Sequence, residues 1–224
     1  MQEQSGNEIL ITQDGSHSLL SKRFGVSYHS KYGAVQESMH VFIKAGLHPA
    51  LQKKSATIRV LEFGFGTGLN ALLTLLTSQK TGRDIYYEGI EAYPIDLTTV
   101  DELNYAEVLG KTASDFRQLH ESTWGDVHQL IPQFSYKKVK ALFQDCTFPE
   151  QFDVCYFDAF APTSQPELWE KEVLQLAYDA LLPGGIFVTY CAKGAVKRNL
   201  KALGFKVEAL AGPPGKREMT RGIK

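Results

Sequence analysis

The stretch Val60-Leu61-Glu62-Phe63-Gly64-Phe65-Gly66-Thr67-Gly68-Leu69-Asn70 constrains the fold of this 224-residue chain more than any other. The apolar run over 58–63 is too short for a helix and carries the branched residues of a buried strand. Three glycines follow at alternate positions. Leu69, Leu72, Leu73, Leu75 and Leu76 then recur at helical spacing. The pattern predicts strand, glycine loop, helix. Glycine tolerates positive φ and has no Cβ, so a ligand can lie against the backbone there. The helix start adds unpaired N–H groups and a partial positive charge.

The spacing narrows the ligand. A dinucleotide loop reads G-x-G-x-x-G and receives a pyrophosphate. Here the pattern is E-x-G-x-G-x-G, and Glu62 sits badly beside a pyrophosphate but suits a ligand bearing an ammonium group. It resembles the first motif of class I S-adenosylmethionine (AdoMet) methyltransferases. Glu62, Gly64, Gly66, Thr67 and Gly68 are therefore candidates for a cofactor site. The plain alternative is an ordinary tight connection between a strand and a helix.

Around this stretch the chain alternates strands and helices. Residues 8–20 read as a hairpin, with Asp14-Gly15 as a type I′ turn signal. An aromatic, polar segment over 24–32 follows, and its Tyr28 is a candidate for contact with substrate. Residues 36–45 have helical spacing, with Gly46 as a stop. Residues 1–50 read as a hairpin-and-helix extension, and 51–224 as the main domain. A second strand over 84–90 ends at Glu91, near the distance at which doubly wound folds set an acid against a ribose diol. A third strand over 140–144 precedes Asp145, which suits either the amino group of an adenine or a turn. Residues 152–157 form a nearly continuous apolar strand ending at Asp158. Further strands are expected at 186–191, 205–210 and 216–221, with helices over 95–109, 113–123, 166–181 and 195–203. This is the order of an α/β, Rossmann-like doubly wound sheet, whose ligand lies beyond the carboxyl ends of the strands. Glu62, the glycines, Glu91, Asp145 and Asp158 all fall at such ends.

Asp158 is the candidate catalytic group, because its strand should neighbour the glycine-loop strand. Methyl transfer needs a free lone pair, close approach and a dry site. A carboxylate can orient an amine nucleophile and take the proton it sheds. Phe160 would wall the pocket.

Composition excludes several classes. There is no apolar run of about 18 residues, as a membrane span needs, and the first residues lack the pattern of a signal peptide. Cys146, Cys155 and Cys191 are spaced neither for zinc nor as a disulfide framework, so a cytoplasmic protein with reduced core cysteines is expected. His40 and His48 have no partners at metal spacing, and no metal is expected. Formal net charge is −1, yet from Lys193 onward nine Lys or Arg face only two acids. Lys193, Lys197, Lys201, Lys216 and Arg217 are candidates for contact with a polyanion; a solvated helix face is the equal alternative.

GFGTGLN at 64–70, DAFAPTSQPELW at 158–169, AKGAVKRNLKALGF at 192–205 and GKREM at 215–219 together resemble the methyltransferase domain of the tRNA wobble-uridine modification family, MnmC and its stand-alone counterpart MnmD. The resemblance runs from about residue 15 to 222. It implies AdoMet-dependent N-methylation of 5-aminomethyl(-2-thio)uridine in the tRNA anticodon. It carries Asp158 over as the catalytic carboxylate, and adds Asn70 to Glu91 and Asp145 in the cofactor site. No second glycine fingerprint for a flavin domain is present, so a separate enzyme is expected to supply the aminomethyl-uridine. Gly212-Pro213-Pro214 departs from the family's glycine–aromatic–glycine turn. The rival readings are an AdoMet-dependent methyltransferase of a small-molecule amine and a non-catalytic RNA-binding protein.

Overall fold

A computed structural model describes residues 7–111 and 113–224. Its strands are β1 (Glu8–Ile11), β2 (His17–Ser21), β3 (Val26–Ser27), β4 (Thr57–Phe63), β5 (Asp84–Glu91), β6 (Val127–Ile131), β7 (Phe134–Lys140), β8 (Phe152–Phe157), β9 (Leu181–Thr189), β10 (Lys206–Ala211) and β11 (Glu218–Ile223). β4 to β11 form one sheet in the order β10-β11-β9-β8-β4-β5-β7-β6. Its centre, from β9 to β7, is parallel, and its edges are antiparallel. This is a class I AdoMet-methyltransferase topology, as the strand and helix order predicts.

The chain runs from β4 outward to β5 and β7, then returns to β8 on the other side of β4. A crevice therefore opens between the carboxyl ends of β4 and β8, the switch point where such sheets bind ligands. Both faces of β4 are buried, and its side chains alternate between two cores. Ile58 and Val60 join the core under the helices over 34–50 and 69–81, while Leu61 and Phe63 join the core under Lys171–Ala180 and Gly194–Leu203.

The N-terminal strands make a separate sheet, β1-β2-β3. Its first turn is not type I′. Five residues separate Ile11 from its partner His17, and the left-handed conformation is confined to glycines. Asp14 organises the loop instead. Its carboxylate accepts from the Thr12 hydroxyl (2.7 Å), the Ser16 N–H (3.0 Å) and the Gln36 N–H (2.9 Å). Burial pushes the Asp14 carboxyl up, but these hydrogen bonds outweigh it and leave the pKa lowered. The hairpin is thereby tied to the start of the next helix.

That helix begins at Ala34–Ser38, widens into π-helical turns over Met39–Leu47 and closes at His48–Ala50. Gly46 does not stop it. A Cβ there would lie 2.8 Å from Val188 Cγ2 and 3.4 Å from the Tyr156 ring, so this glycine lets the helix sit close on the sheet. The third expected strand also differs. The chain makes a hairpin of β6 and β7, and 143–145 is a turn of 3₁₀ helix. Among the described residues no helix is long and apolar enough to cross a membrane.

The Gly46 contact gives a stability test. Gly46→Val inserts a branched side chain against Val188, and overpacking of this kind costs about 1–3 kcal/mol. Urea unfolding should show a midpoint lowered accordingly, with an unchanged slope. An unaltered midpoint would mean that the helix moves away without cost.

Candidate active site

The crevice holds a cavity of about 320 Å³. Its floor is the glycine loop, whose three glycines do separate work. A Cβ on Gly64 would lie 2.6 Å from the Asp158 carbonyl oxygen, so this glycine lets the ends of β4 and β8 close together. Gly66, at φ +52°, lies beneath the Tyr28 ring, 3.3 Å from the position of a Cβ, and lines the cavity with Gly64 and Thr67. Gly68 does not line it. It starts the helix Leu69–Thr81 in the left-handed conformation and faces His120, whose Nε2 would be 2.5 Å from a Cβ. Its role is packing against the helix Ala113–Glu121.

Asn70 lies in the first turn of the glycine-loop helix. Its amide donates to Glu62 Oε1 (2.7 Å) and to Asp158 Oδ2 (2.9 Å). Two carboxyl acceptors fix which way the amide points. Its Oδ1 is then buried without a hydrogen-bond partner in a residue that lines the cavity. Glu62 itself does not reach the cavity. It is 0 % exposed, and its second oxygen accepts from the Tyr87 hydroxyl, so it stands behind Asn70. Burial drives its carboxyl well above the ordinary range.

Glu91 lines the cavity from the end of β5. Its two oxygens accept from the Gly66 N–H (2.9 Å) and the Tyr93 N–H (2.8 Å), while burial raises its pKa. Asp145 is exposed on the 3₁₀ turn and leaves the wall to Leu142, Phe143 and Gln144. The true third strand ends at Lys140, so the turn carries the aspartate past the cavity edge.

The roof comes from the segment after β2. Tyr28 meets Phe160 edge-on at 5.0 Å between ring centroids, and Phe24 packs on Phe160 at 5.0 Å. Arg23 stacks over Tyr93 at 3.8 Å. Of this roof, Tyr28 and Phe160 are the residues expected from the sequence. The loop after Asp158 is pinned from two sides. The Trp169 indole donates to the Phe160 carbonyl (2.7 Å), and the Tyr190 hydroxyl to the Ala159 carbonyl (2.8 Å).

A second cavity, also of about 320 Å³, opens on the other side of this wall. Tyr28, His29, Asp158 and Phe160 border both. Asp158 therefore stands where the two meet. Burial, then the charge of Glu37, raises its carboxyl to about 7, against the lowering effects of the Asn70 amide and Lys216. His29 is held neutral near pH 7, because burial lowers it to about 4.

The cations divide. Lys216 borders the second cavity and pairs with Glu37. Lys197 pairs with Glu218 at 2.8 Å. Lys193 and Lys201 are exposed, and Arg217 is 94 % exposed with Glu218 no nearer than 3.9 Å. None of Lys193, Lys197, Lys201 and Arg217 lines either cavity.

Comparison with known proteins agrees with this geometry. The model of a family of S-adenosyl-L-methionine-dependent methyltransferases matches residues 117–224. The crystal structure of MNMC2 from Aquifex aeolicus superposes with a TM-score of 0.79 at 26 % identity, covering 99 % of this chain and 71 % of that one. The fold is that of a class I AdoMet-dependent methyltransferase. The tRNA 5-methylaminomethyl-2-thiouridine biosynthesis bifunctional protein MnmC of Methylibium petroleiphilum is 29 % identical over 209 residues, 90 % of this chain and 32 % of that protein. The chain thus spans about a third of the length of the curated relatives it matches. Spermidine synthase from Thermotoga maritima shares the fold at a TM-score of 0.53 and 17 % identity, covering 97 % of this chain and 71 % of that one. The likeness to the MnmC methyltransferase domain extends over nearly the whole chain, as its motifs indicate.

The cavity fits AdoMet. The unpartnered Asn70 Oδ1 is an acceptor suited to an ammonium group, and Glu91 can accept from ribose hydroxyls. Glu91 and Asp158, two part-buried carboxyl groups on the cavity whose pKa values are raised, favour a ligand that carries positive charge. Gly66→Val would place a branched side chain on the cavity floor beneath Tyr28. Titration calorimetry should find AdoMet binding abolished in a protein that keeps its far-UV spectrum. Unchanged affinity would remove the glycine loop from the site.

Proposed function

We propose that this chain transfers a methyl group from AdoMet to the primary amine of 5-aminomethyl(-2-thio)uridine at the wobble position of tRNA, in the cytoplasm. The observation that carries this reading is the position of Asp158 between two cavities, one suited to the donor and one open to an acceptor. The names of the MnmC relatives supply the substrate class.

Bound AdoMet supplies an electrophilic methyl group on a sulfonium sulfur. The chain's own part is to orient the amine, exclude water and receive a proton. Tyr28, Phe160 and Asp158 border both cavities, so an acceptor nitrogen in the second would face the donor beside the Asp158 carboxylate. A carboxylate there accepts an N–H hydrogen bond and fixes the lone pair toward the donor side. The nitrogen–methyl bond forms as the methyl–sulfur bond breaks, leaving S-adenosylhomocysteine as a neutral thioether, and with its pKa near 7 Asp158 can take the proton that the nitrogen then sheds. Asn70 holds one Asp158 oxygen, leaving the other for the substrate. The amine must arrive free, so a reaction that exposes the aminomethyl group precedes this one.

The decisive assay is nucleoside analysis of tRNA incubated with the protein and labelled AdoMet. Label in a 5-methylaminomethyl nucleoside supports the reading; label only in small amines overturns it. Asp158→Asn should lower turnover by about 10²-fold, the usual contribution of a positioned proton acceptor. In the parent protein kcat/KM for tRNA should fall as pH drops below about 7, because Asp158 then takes up a proton and can no longer accept one. The substrate amine also takes up a proton as pH falls, so Asp158→Asn should keep that one limb and lose the other, turning a two-proton fall into a one-proton fall. An unchanged two-proton fall would assign the titration to another group.

The exposed cations suit a phosphate backbone, which fixes position without reading sequence. Removing Lys193 or Arg217 should each reduce the slope of log affinity against log salt by about one unit for a true phosphate contact. Lys197→Ala should leave the slope alone, because Glu218 already neutralises that lysine. Equal slopes for all three variants would leave the RNA face elsewhere.

A further inference from the structure

The second cavity contains two charged groups whose fields bias the Asp158 carboxyl but which have no direct part in the transfer described above. Glu37 lies in the first helix, buried, and its carboxyl borders the cavity. One oxygen accepts from the Ser30 N–H at 2.9 Å; the other accepts from Lys216 Nζ. Lys216 arrives from the turn between β10 and β11, far along the chain, and its Nζ lies 4.0 Å from the centroid of the Tyr190 ring. Glu37 is buried but Lys216 keeps 31 % of its side chain exposed, so the pair lies open to the cavity instead of being closed in the core. Its place at the edge of a cavity calls for an account.

The donor inventory supplies one. An ammonium has three N–H groups, and Glu37 and the Tyr190 face occupy two of them. Each Glu37 oxygen keeps a lone pair beyond the bond it already accepts. The pair therefore offers a donor beside an acceptor. A uracil ring offers the complement on its Watson–Crick edge: carbonyl oxygens flanking an N3–H. A cytosine ring reverses both, with an acceptor at N3 and a donor at N4. Tyr28, Phe160 and Tyr190 add aromatic surface to the same cavity, of the kind that holds an unstacked base.

We propose that Glu37 and Lys216 read the Watson–Crick edge of the acceptor base, Glu37 accepting from N3–H and Lys216 donating to the carbonyl oxygen beside the aminomethyl-bearing carbon. The pair would then select a uracil ring and hold its substituent toward Asp158. This rests on the wobble-uridine reading above.

The test uses three anticodon stem–loop RNAs, bearing 5-aminomethyluridine, its N3-methyl derivative or 5-aminomethylcytidine at the wobble position. Transfer from labelled AdoMet is measured as kcat/KM for the parent protein, Glu37→Ser and Lys216→Met, with AdoMet affinity as the check on folding. The parent should favour the uridine over each analogue by about 10–100-fold, the loss expected for a hydrogen bond to a charged group. Glu37→Ser should lose most of its preference against the N3-methyl base, because the acceptor is gone and space is made. Lys216→Met should keep that preference while its kcat/KM for the uridine falls. Equal use of all three bases by the parent overturns the proposal without any variant. So does a Glu37→Ser protein that binds AdoMet normally and retains the full preference. Absence of transfer to any of the three RNAs, with AdoMet still bound, removes the uridine reading itself and this proposal with it.

Discussion

Two hydrogen bonds from one amide hold the site together. Asn70 donates to Glu62 and to Asp158, so a helix, the end of β4 and the end of β8 are fixed around one side chain. Placing two carboxyl groups on one buried donor is costly, since burial and mutual repulsion both oppose ionisation. That cost shows in the raised pKa of both groups, and the hydrogen bonds from Tyr87 to Glu62 and from Asn70 to both offset part of it. Glu62 is thus a support for Asn70, and Asn70 presents the unmatched oxygen. The acid that the motif places before its glycines acts at one remove.

The same economy explains how one carboxyl comes to border both cavities. Asp158 reaches both cavities because Gly64 lets its backbone approach β4 and because Trp169 and Tyr190 hold the loop that follows. A donor and an acceptor that occupy separate cavities can meet only where the cavities share a wall. That wall is aromatic apart from Asp158 and His29, and His29 is neutral. Around pH 7 the carboxyl is the one group of the wall that changes charge.

Local sequence made the central strands legible, and long-range pairing made the rest illegible. The nearly continuous apolar run of β8 is what a buried parallel strand requires, and β8 lies where that pattern puts it. β7 was hidden by Lys138. This lysine is fully buried, donates to the His120 carbonyl at 2.6 Å and sits over the Trp124 ring, and burial lowers its pKa to about 8. A charged residue at an inward position destroys the alternation by which a strand is read. Gly46 misled for the opposite reason. Its chemistry permits a helix stop, but its lack of a side chain is used here for close packing on the sheet. Asp145 followed the misplaced third strand out of the site.

The basic C-terminal segment shows how a charge count overstates a binding face. Four of its cations are spent inside the fold: Lys197 on Glu218, Lys216 on Glu37, Arg221 on Glu208 and Lys224 on Glu150. Three of these pairs join positions fewer than 80 residues apart, and the fourth spans nearly the whole chain. Helical spacing placed Lys197 and Lys201 together on one face, yet only tertiary contact decides which of them is free. Lys216 is the instructive case. Its sequence neighbour Arg217 projects into solvent, while Lys216 turns inward to a carboxylate and an aromatic ring beside the acceptor cavity. One residue of difference thus separates a charge left in solvent from one paired beside a cavity, and the turn between β10 and β11, where the Gly212-Pro213-Pro214 departure lies, sets that division.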